Sequence, residues 1–137
     1  MKHRLDEEYA FSCLLFGLVS SEPPHTLCWH LNKTLKLSLG YSGEQLVKRK
    51  ERSLGFDYFR YRDELTQAGW ILTVNKDEDG VLVPELKKFD YLLLVEDYDH
   101  VNAQQVLIEL RRIAPVLGCY TFPIETLKSR GNLIFDE

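Results

Sequence analysis

The fold is decided by the stretch Phe89-Asp90-Tyr91-Leu92-Leu93-Leu94-Val95-Glu96, in which four aliphatic residues follow one another. A strand that is apolar at every position is buried on both faces and lies in the middle of a sheet. Residues 10–19 show the same pattern. Two such strands in one short chain predict a sheet whose two faces must both be covered.

Two helices are predicted beside these strands. The first runs from Thr26 to about Lys36, where leucines recur every fourth residue, and Gly40 and Gly43 end it. Asn102 and Gln105 form a capping box that opens the second helix. The apolar face of that helix carries Ala103, Val106, Leu107, Leu110 and Ile113.

The remaining strands are predicted from alternation and from turn residues. Residues 56–62, 70–75 and 116–122 are expected to be strands, and residues 81–83 to return as the partner of 70–75 after a turn. Residues 45–52 are ambiguous, being basic and weakly apolar. The order predicts an α+β protein: a ferredoxin-like βαββαβ sandwich with a mostly antiparallel sheet, two helices on one face and an extra β-hairpin.

Composition restricts the class of protein. The chain has 137 residues, of which 45% are hydrophobic and 28% charged, so we expect a single α+β domain over residues 1–137. A net charge of -4 argues against a protein that binds nucleic acid through its overall charge. No phosphate-binding, dinucleotide-binding or hydrolase motif occurs, and no cofactor or metal site is predicted.

The compartment is predicted from the cysteines and from the N-terminus. Cys13, Cys28 and Cys119 lie among apolar neighbours with no metal-ligand or redox spacing, which predicts reduced thiols in the core. Acidic residues 6–8 interrupt the basic N-terminus, unlike in a signal peptide. We therefore expect a cytoplasmic protein without a membrane segment.

The sheet face opposite the two predicted helices needs a cover. The C-terminal tail, a second subunit and a ligand are the three alternatives, since an exposed apolar face of that size is rare in a monomer. We expect a homodimer that uses this face and binds a further protein.

One motif carries a family resemblance. The residues Val83-Pro84-Glu85-Leu86-Lys87-Lys88-Phe89-Asp90-Tyr91 resemble the signature of the IPExxxVDY family of small bacterial proteins, with Val83 in place of its Ile and Phe89 in place of its Val. Residues 27–33 and 127–133 are also similar to that family. The resemblance implies no particular activity, because the family is named for its motif.

The motif has two interpretations from its residues alone. Pro84 suits the first position of a short helical turn and Glu85 its N-terminus, while Phe89 starts the next strand. A rigid connector, in which Glu85 or Asp90 accepts backbone N–H bonds, is the favoured interpretation. The alternative is an enzyme that uses Glu85 and Asp90 as an acid/base pair, which requires a raised pKa in a cleft.

A basic stretch interleaved with aromatic residues is the other candidate site. Its residues are Lys48, Arg49, Lys50, Arg52, Tyr58, Arg60 and Arg62. Such residues on a sheet can hold RNA phosphates and stack bases, although the RNP1 pattern is absent. The alternative is a solvated edge whose charges prevent edge-to-edge pairing. RNA or nucleotide-phosphate binding therefore ranks behind a non-catalytic, homodimeric binding module, and the enzyme ranks third.

Overall fold

The computed structural model describes residues 12–135. Its elements are β1 (Leu14–Val19), α1 (Pro24–Leu35), β2 (Gly40–Arg49), β3 (Arg52–Arg62), β4 (Gly69–Val74), β5 (Tyr91–Glu96), α2 (Ala103–Arg112) and β6 (Gly118–Thr121). Four short 3₁₀ turns lie at Pro84–Leu86, Tyr98–His100, Ile124–Thr126 and Arg130–Leu133. The strands form one antiparallel sheet in the order β2-β3-β4-β5-β1-β6. The α+β class is confirmed.

The two most apolar strands, β1 and β5, lie next to each other inside the sheet. Leu15 is opposite Leu94 and Gly17 is opposite Leu92 in an antiparallel register. The leucines of both strands are almost fully buried on both faces, apart from Leu14. The strand predicted over 10–19 begins at Leu14; residues 10 and 11, like the acidic residues 6–8, lie outside the described residues.

The two helices contact each other and so lie on the same side of the sheet. α2 starts as predicted, because the Asn102 side chain accepts the backbone N–H of Gln105 at 3.0 Å. α1 ends at Leu35, where Lys36 adopts a left-handed conformation with φ 57°. The helix therefore stops before Gly40, which begins β2 instead of ending the helix.

The predicted strand over 81–83 was wrong. Only an isolated bridge joins Lys76 to Val81, and Pro84 then begins a 3₁₀ turn. The physical reason is Asn75, whose side chain accepts the N–H of Val83, and whose carbonyl accepts the N–H of Leu82. The long hairpin of this protein is instead β2–β3, which includes the ambiguous residues 45–52.

The sheet face opposite the helices is covered by the chain itself. Phe135 packs on Tyr58 with ring centroids 4.8 Å apart, and the Gln45 side chain donates to the carbonyl oxygens of Asn132 and Ile134. At the other side of this face the ring of Phe89 lies over Gly17. Segments 76–90 and 123–135 therefore occupy the face that the sequence leaves without a cover. The expectation that a homodimer uses this face was wrong, because the chain's own C-terminal segment supplies the cover.

Candidate functional site

The motif turn is anchored to the C-terminal segment through Glu85. Pro84 takes the first position of the 3₁₀ turn, and Val83 before it is fully buried. The Glu85 carboxylate accepts the backbone N–H of Ser129 at 2.7 Å. Partial burial opposes the ionisation of Glu85, but hydrogen bonds from Ser129 and neighbouring amides together hold its pKa below the ordinary 4.5.

Asp90 and Tyr91 hold the loop between β1 and α1. One Asp90 carboxylate oxygen accepts the backbone N–H of Ser20 at 3.0 Å, and the other lies 3.6 Å from Lys76 Nζ. The Tyr91 hydroxyl points to the opposite side and donates to the Glu22 carbonyl at 2.5 Å. Burial, with the charges of Asp90 and Glu22, raises the pKa of Tyr91 to about 12. The Asp-Tyr pair thus fixes a distant loop on both faces of β5.

Asn75 organises the segment between β4 and β5, although the sequence pattern predicts it only as the end of a strand and the start of a turn. Its side chain is fully buried; it donates to the carbonyl oxygens of Leu86 at 2.9 Å and Phe89 at 2.8 Å, and accepts from Val83 at 2.9 Å. Its backbone N–H donates to the Asp90 carbonyl. An asparagine at the end of an apolar strand was the one signal in the sequence.

The chemistry available to the motif carboxylates is limited by these bonds. Glu85 is bonded to Ser129, whereas Asp90 is bonded to Ser20 and Lys76, so the two carboxylates serve different segments. A general acid at neutral pH needs a raised pKa, and the pKa of Glu85 is lowered. The geometry is that of structural acceptors.

The basic stretch is divided between the two ends of β3. About 33 Å separates Arg52 from Arg62, because ten residues of a strand rise about 3.3 Å each. The antiparallel register places Arg49, Arg52, Arg60 and Arg62 on one face and Lys48 on the other. Tyr58 is buried at 6% exposure under Phe135, where its ring cannot stack on a base. The structure therefore divides the set, with Arg49, Lys50 and Arg52 together at one end and Arg60 and Arg62 together at the other, and it does not bring all seven residues into one surface.

Several of the arginines bind the protein itself. Arg49 donates to the Val81 carbonyl at 2.9 Å, and Arg52 lies 3.7 Å from Asp79. Arg62 pairs with Asp97 at 3.0 Å and with Glu96 at 3.8 Å. An open cleft of about 770 Å³ lies between the β2–β3 turn and residues 79–81, lined by Arg49, Lys50, Glu51, Arg52, Leu54, Asp79, Gly80 and Val81.

The acidic run at the end of β5 also carries structural contacts. Arg62 bonds to Glu96 and Asp97, and burial with the nearby Asp99 raises the pKa of Asp97. Between residues 12 and 135, no group of three or more His, Cys, Asp or Glu side chains is arranged to hold a metal ion.

The two edges of the sheet differ. At β6 the Arg111 guanidinium donates twice to the Cys119 carbonyl, at 3.0 and 2.8 Å, and lies over the Tyr120 ring. At β2, two apolar side chains are exposed, Tyr41 at 62% and Leu46 at 67%. Exposed apolar side chains also lie at β6, where Tyr120 is 55% exposed, so the two edges differ chiefly in length: β2 has ten residues and β6 has four.

The cysteines and the helices can be compared with the expectations of reduced core thiols and of no membrane segment. Cys13, Cys28 and Cys119 are free and buried, as predicted. None of the helices within the described part of the chain is long and apolar enough to cross a membrane.

Comparisons with protein-family models, with curated proteins and with solved structures find no match to this chain.

Proposed function

We propose that the protein is a non-catalytic binding and assembly module that acts as a homodimer. The observation that carries this proposal is the β2 edge, where Leu46 and Tyr41 are exposed on the last strand of the sheet. Native proteins protect long edges because unpaired backbone groups recruit other strands. An edge of ten residues with apolar side chains is therefore a surface suited to a protein partner.

The bonding of the motif supports a binding module over an enzyme. Glu85 and Asp90 each accept a backbone N–H and so stabilise the connection between segments. We further propose that this motif places the chain in the IPExxxVDY family, in which Pro84 and Glu85 form the turn and Asp90 and Tyr91 fix the loop before α1.

The ferredoxin-like topology and the cytoplasmic compartment are also proposals. Without β2–β3, the order of elements is strand, helix, strand, strand, helix, strand, which supports a ferredoxin-like core with that hairpin inserted after α1. Three buried free thiols support a reducing compartment such as the cytoplasm.

Light scattering on the purified full chain tests the homodimer. Between about 5 and 200 µM we expect the mass to rise from that of one chain toward that of two, as for a small interface. A monomeric mass over the whole range would refute the proposal.

Titration of fluorescent single-stranded and duplex RNA at about 50 and 200 mM salt tests the alternative. We expect no binding at the lower salt. Steeply salt-dependent binding that is lost in Lys48→Ala and Arg60→Ala would favour the RNA function instead.

A further inference from the structure

We infer that two copies of this chain pair through β2, antiparallel and centred on Leu46, so that their two sheets become continuous. This inference rests on the proposed homodimer and assigns its interface. Residues pair when their numbers sum to 92: Leu46 lies opposite Leu46 of the second copy, and Glu44 opposite Lys48 of the second copy.

Among the described residues, no strand pairs with the outer side of β2. β2 is the last strand in the sheet order, and its one neighbour within residues 12–135 is β3. Every second N–H and C=O group of an edge strand points away from its neighbour, toward any strand that approaches. The β6 edge has four residues, and Arg111 donates two hydrogen bonds to its Cys119 carbonyl. At β2, the Ser42 hydroxyl donates to the Gly40 carbonyl, and Arg49 makes a long bond of 3.4 Å to the Lys48 carbonyl, which a second copy would displace. The longer β2 edge is therefore the better suited of the two to pairing.

The side chains of β2 are complementary to themselves. Glu44, Leu46 and Lys48 alternate along the strand, so they lie on the same face, and all three are exposed. An antiparallel copy presents the same order reversed, which sets acid against base on each side of the central leucines. A two-fold axis through Leu46 thus gives two ion pairs and one apolar contact.

The neighbouring strand β3 offers no favourable side-chain partner directly opposite Leu46 or Glu44. Leu46 is opposite Gly55, which offers no side chain to pack against, and the Glu44 carboxylate lies over that glycine. Glu44 is also opposite Asp57, a like-charge pair that destabilises a sheet. Lys48 of a second copy would offset that repulsion and cover Leu46.

The charges on β2 also determine which strands can pair with it. Charged side chains protect an edge against unrelated strands, and the bulge between Tyr41 and Gly43 limits pairing at one end. A strand with the order acid, apolar, base still admits its own copy. The edge is thus protected against other chains and open to itself.

Charge reversal tests the pairing by sedimentation or light scattering on the full chain. Glu44→Lys and Lys48→Glu each place like charges in both pairs, and we expect each to weaken the dimer about 10- to 100-fold in Kd. The double variant restores opposite charges and is expected to regain the dimer. Glu64→Lys and Lys87→Glu, on exposed turns, are the matched controls.

Cysteine cross-linking tests the register. Cα atoms of directly opposed antiparallel residues lie about 4.5–5.5 Å apart, within the range of about 4.4–6.8 Å that a disulfide spans, so Leu46→Cys is expected to form a disulfide-linked dimer on mild oxidation. In Glu44→Cys the two thiols would be four residues out of register, about 13 Å apart, and no cross-link is expected. The native thiols are buried and do not compete.

The outcomes separate the interface from the homodimer itself. Loss of the dimer in the single reversals, its rescue in the double variant and a cross-link only at position 46 would support the pairing. A dimer that the reversals affect no more than their controls, with no cross-link at 46, would overturn the pairing and leave the homodimer standing. A wild-type monomer at every concentration would overturn both.

Discussion

Replacing Asn75 with alanine is expected to lower the free energy of unfolding by about 2–6 kcal/mol, because the side chain is fully buried and makes three hydrogen bonds. The Leu86 carbonyl keeps a second donor, the Phe89 N–H, at 3.0 Å. Within the described chain the Val83 N–H and the Phe89 carbonyl have no other partner. The buried Val83 N–H and the partly buried Phe89 carbonyl are then unsatisfied, each at a cost of about 1–3 kcal/mol, with the lower end expected for Phe89.

Equilibrium urea unfolding followed by far-UV circular dichroism measures this loss. Asn102→Ala is the matched control, since it removes the same amide from an exposed helix N-cap with one bond to Gln105, and about 1 kcal/mol is expected there. Hydrogen exchange adds a local measurement: the Val83 amide should lose protection in Asn75→Ala and keep it in the control.

The aspartate variant sharpens the test. Asn75→Asp keeps an acceptor for Val83 but has no donor for Leu86 or Phe89 at neutral pH, so we expect it to be destabilised as well. Burial would raise the pKa of the new carboxyl, so stability should recover partly as the pH falls toward 4. A loss in Asn75→Ala no larger than in Asn102→Ala would refute the argument that this amide organises the segment.

Three further predictions concern pH, packing and the thiols. The pKa of Glu85 is held below 4.5, so its ionised form stabilises the fold above that pH. The difference in unfolding free energy between wild type and Glu85→Gln, measured by urea titration, should therefore shrink as the pH falls through the pKa of the folded protein. A difference that stays constant with pH would contradict this. Gly17→Ala should cost about 1–3 kcal/mol, since a Cβ there would lie 2.8 Å from the Phe89 ring, whereas Gly131→Ala, with nothing within 4 Å, should be near neutral in the same unfolding assay. Burial raises the pKa of Cys13 and Cys119 to about 12, so a thiol reagent at pH 8 should label them only as urea unfolds the chain; rapid labelling of the native protein would show them to be accessible.

The parts of the fold that could be predicted are those with one dominant signal. β5 is apolar from Tyr91 to Val95, which only burial on both faces explains, and the Asn102–Gln105 pair located the start of α2. β2 has no such signal. One of its faces is exposed and its central Leu46 is opposite a glycine, so neither periodicity nor propensity marks it as a strand.

The segment after β4 shows a different limit. Val81 to Val83 has β propensity, but the Asn75 amide supplies the hydrogen bonds that a partner strand would otherwise make. Which backbone groups an asparagine will bind depends on the tertiary structure. The prediction of one basic surface fails for a related reason, because residues close in sequence are far apart once they lie along an extended strand. Arg52 and Arg62 also bind acidic residues from different loops.

The most recognisable sequence and the most available surface therefore lie in different places. Within the 83–91 motif, Glu85 and Asp90 accept backbone N–H groups and Tyr91 donates to a backbone carbonyl, and so they connect segments that sequence separates. β2 has no motif, yet it combines unpaired backbone, an exposed leucine and charges that an antiparallel copy matches. A role in the core constrains residues through burial and hydrogen bonds, whereas a role in association needs exposure. For this protein, the search for function should therefore begin at the β2 edge.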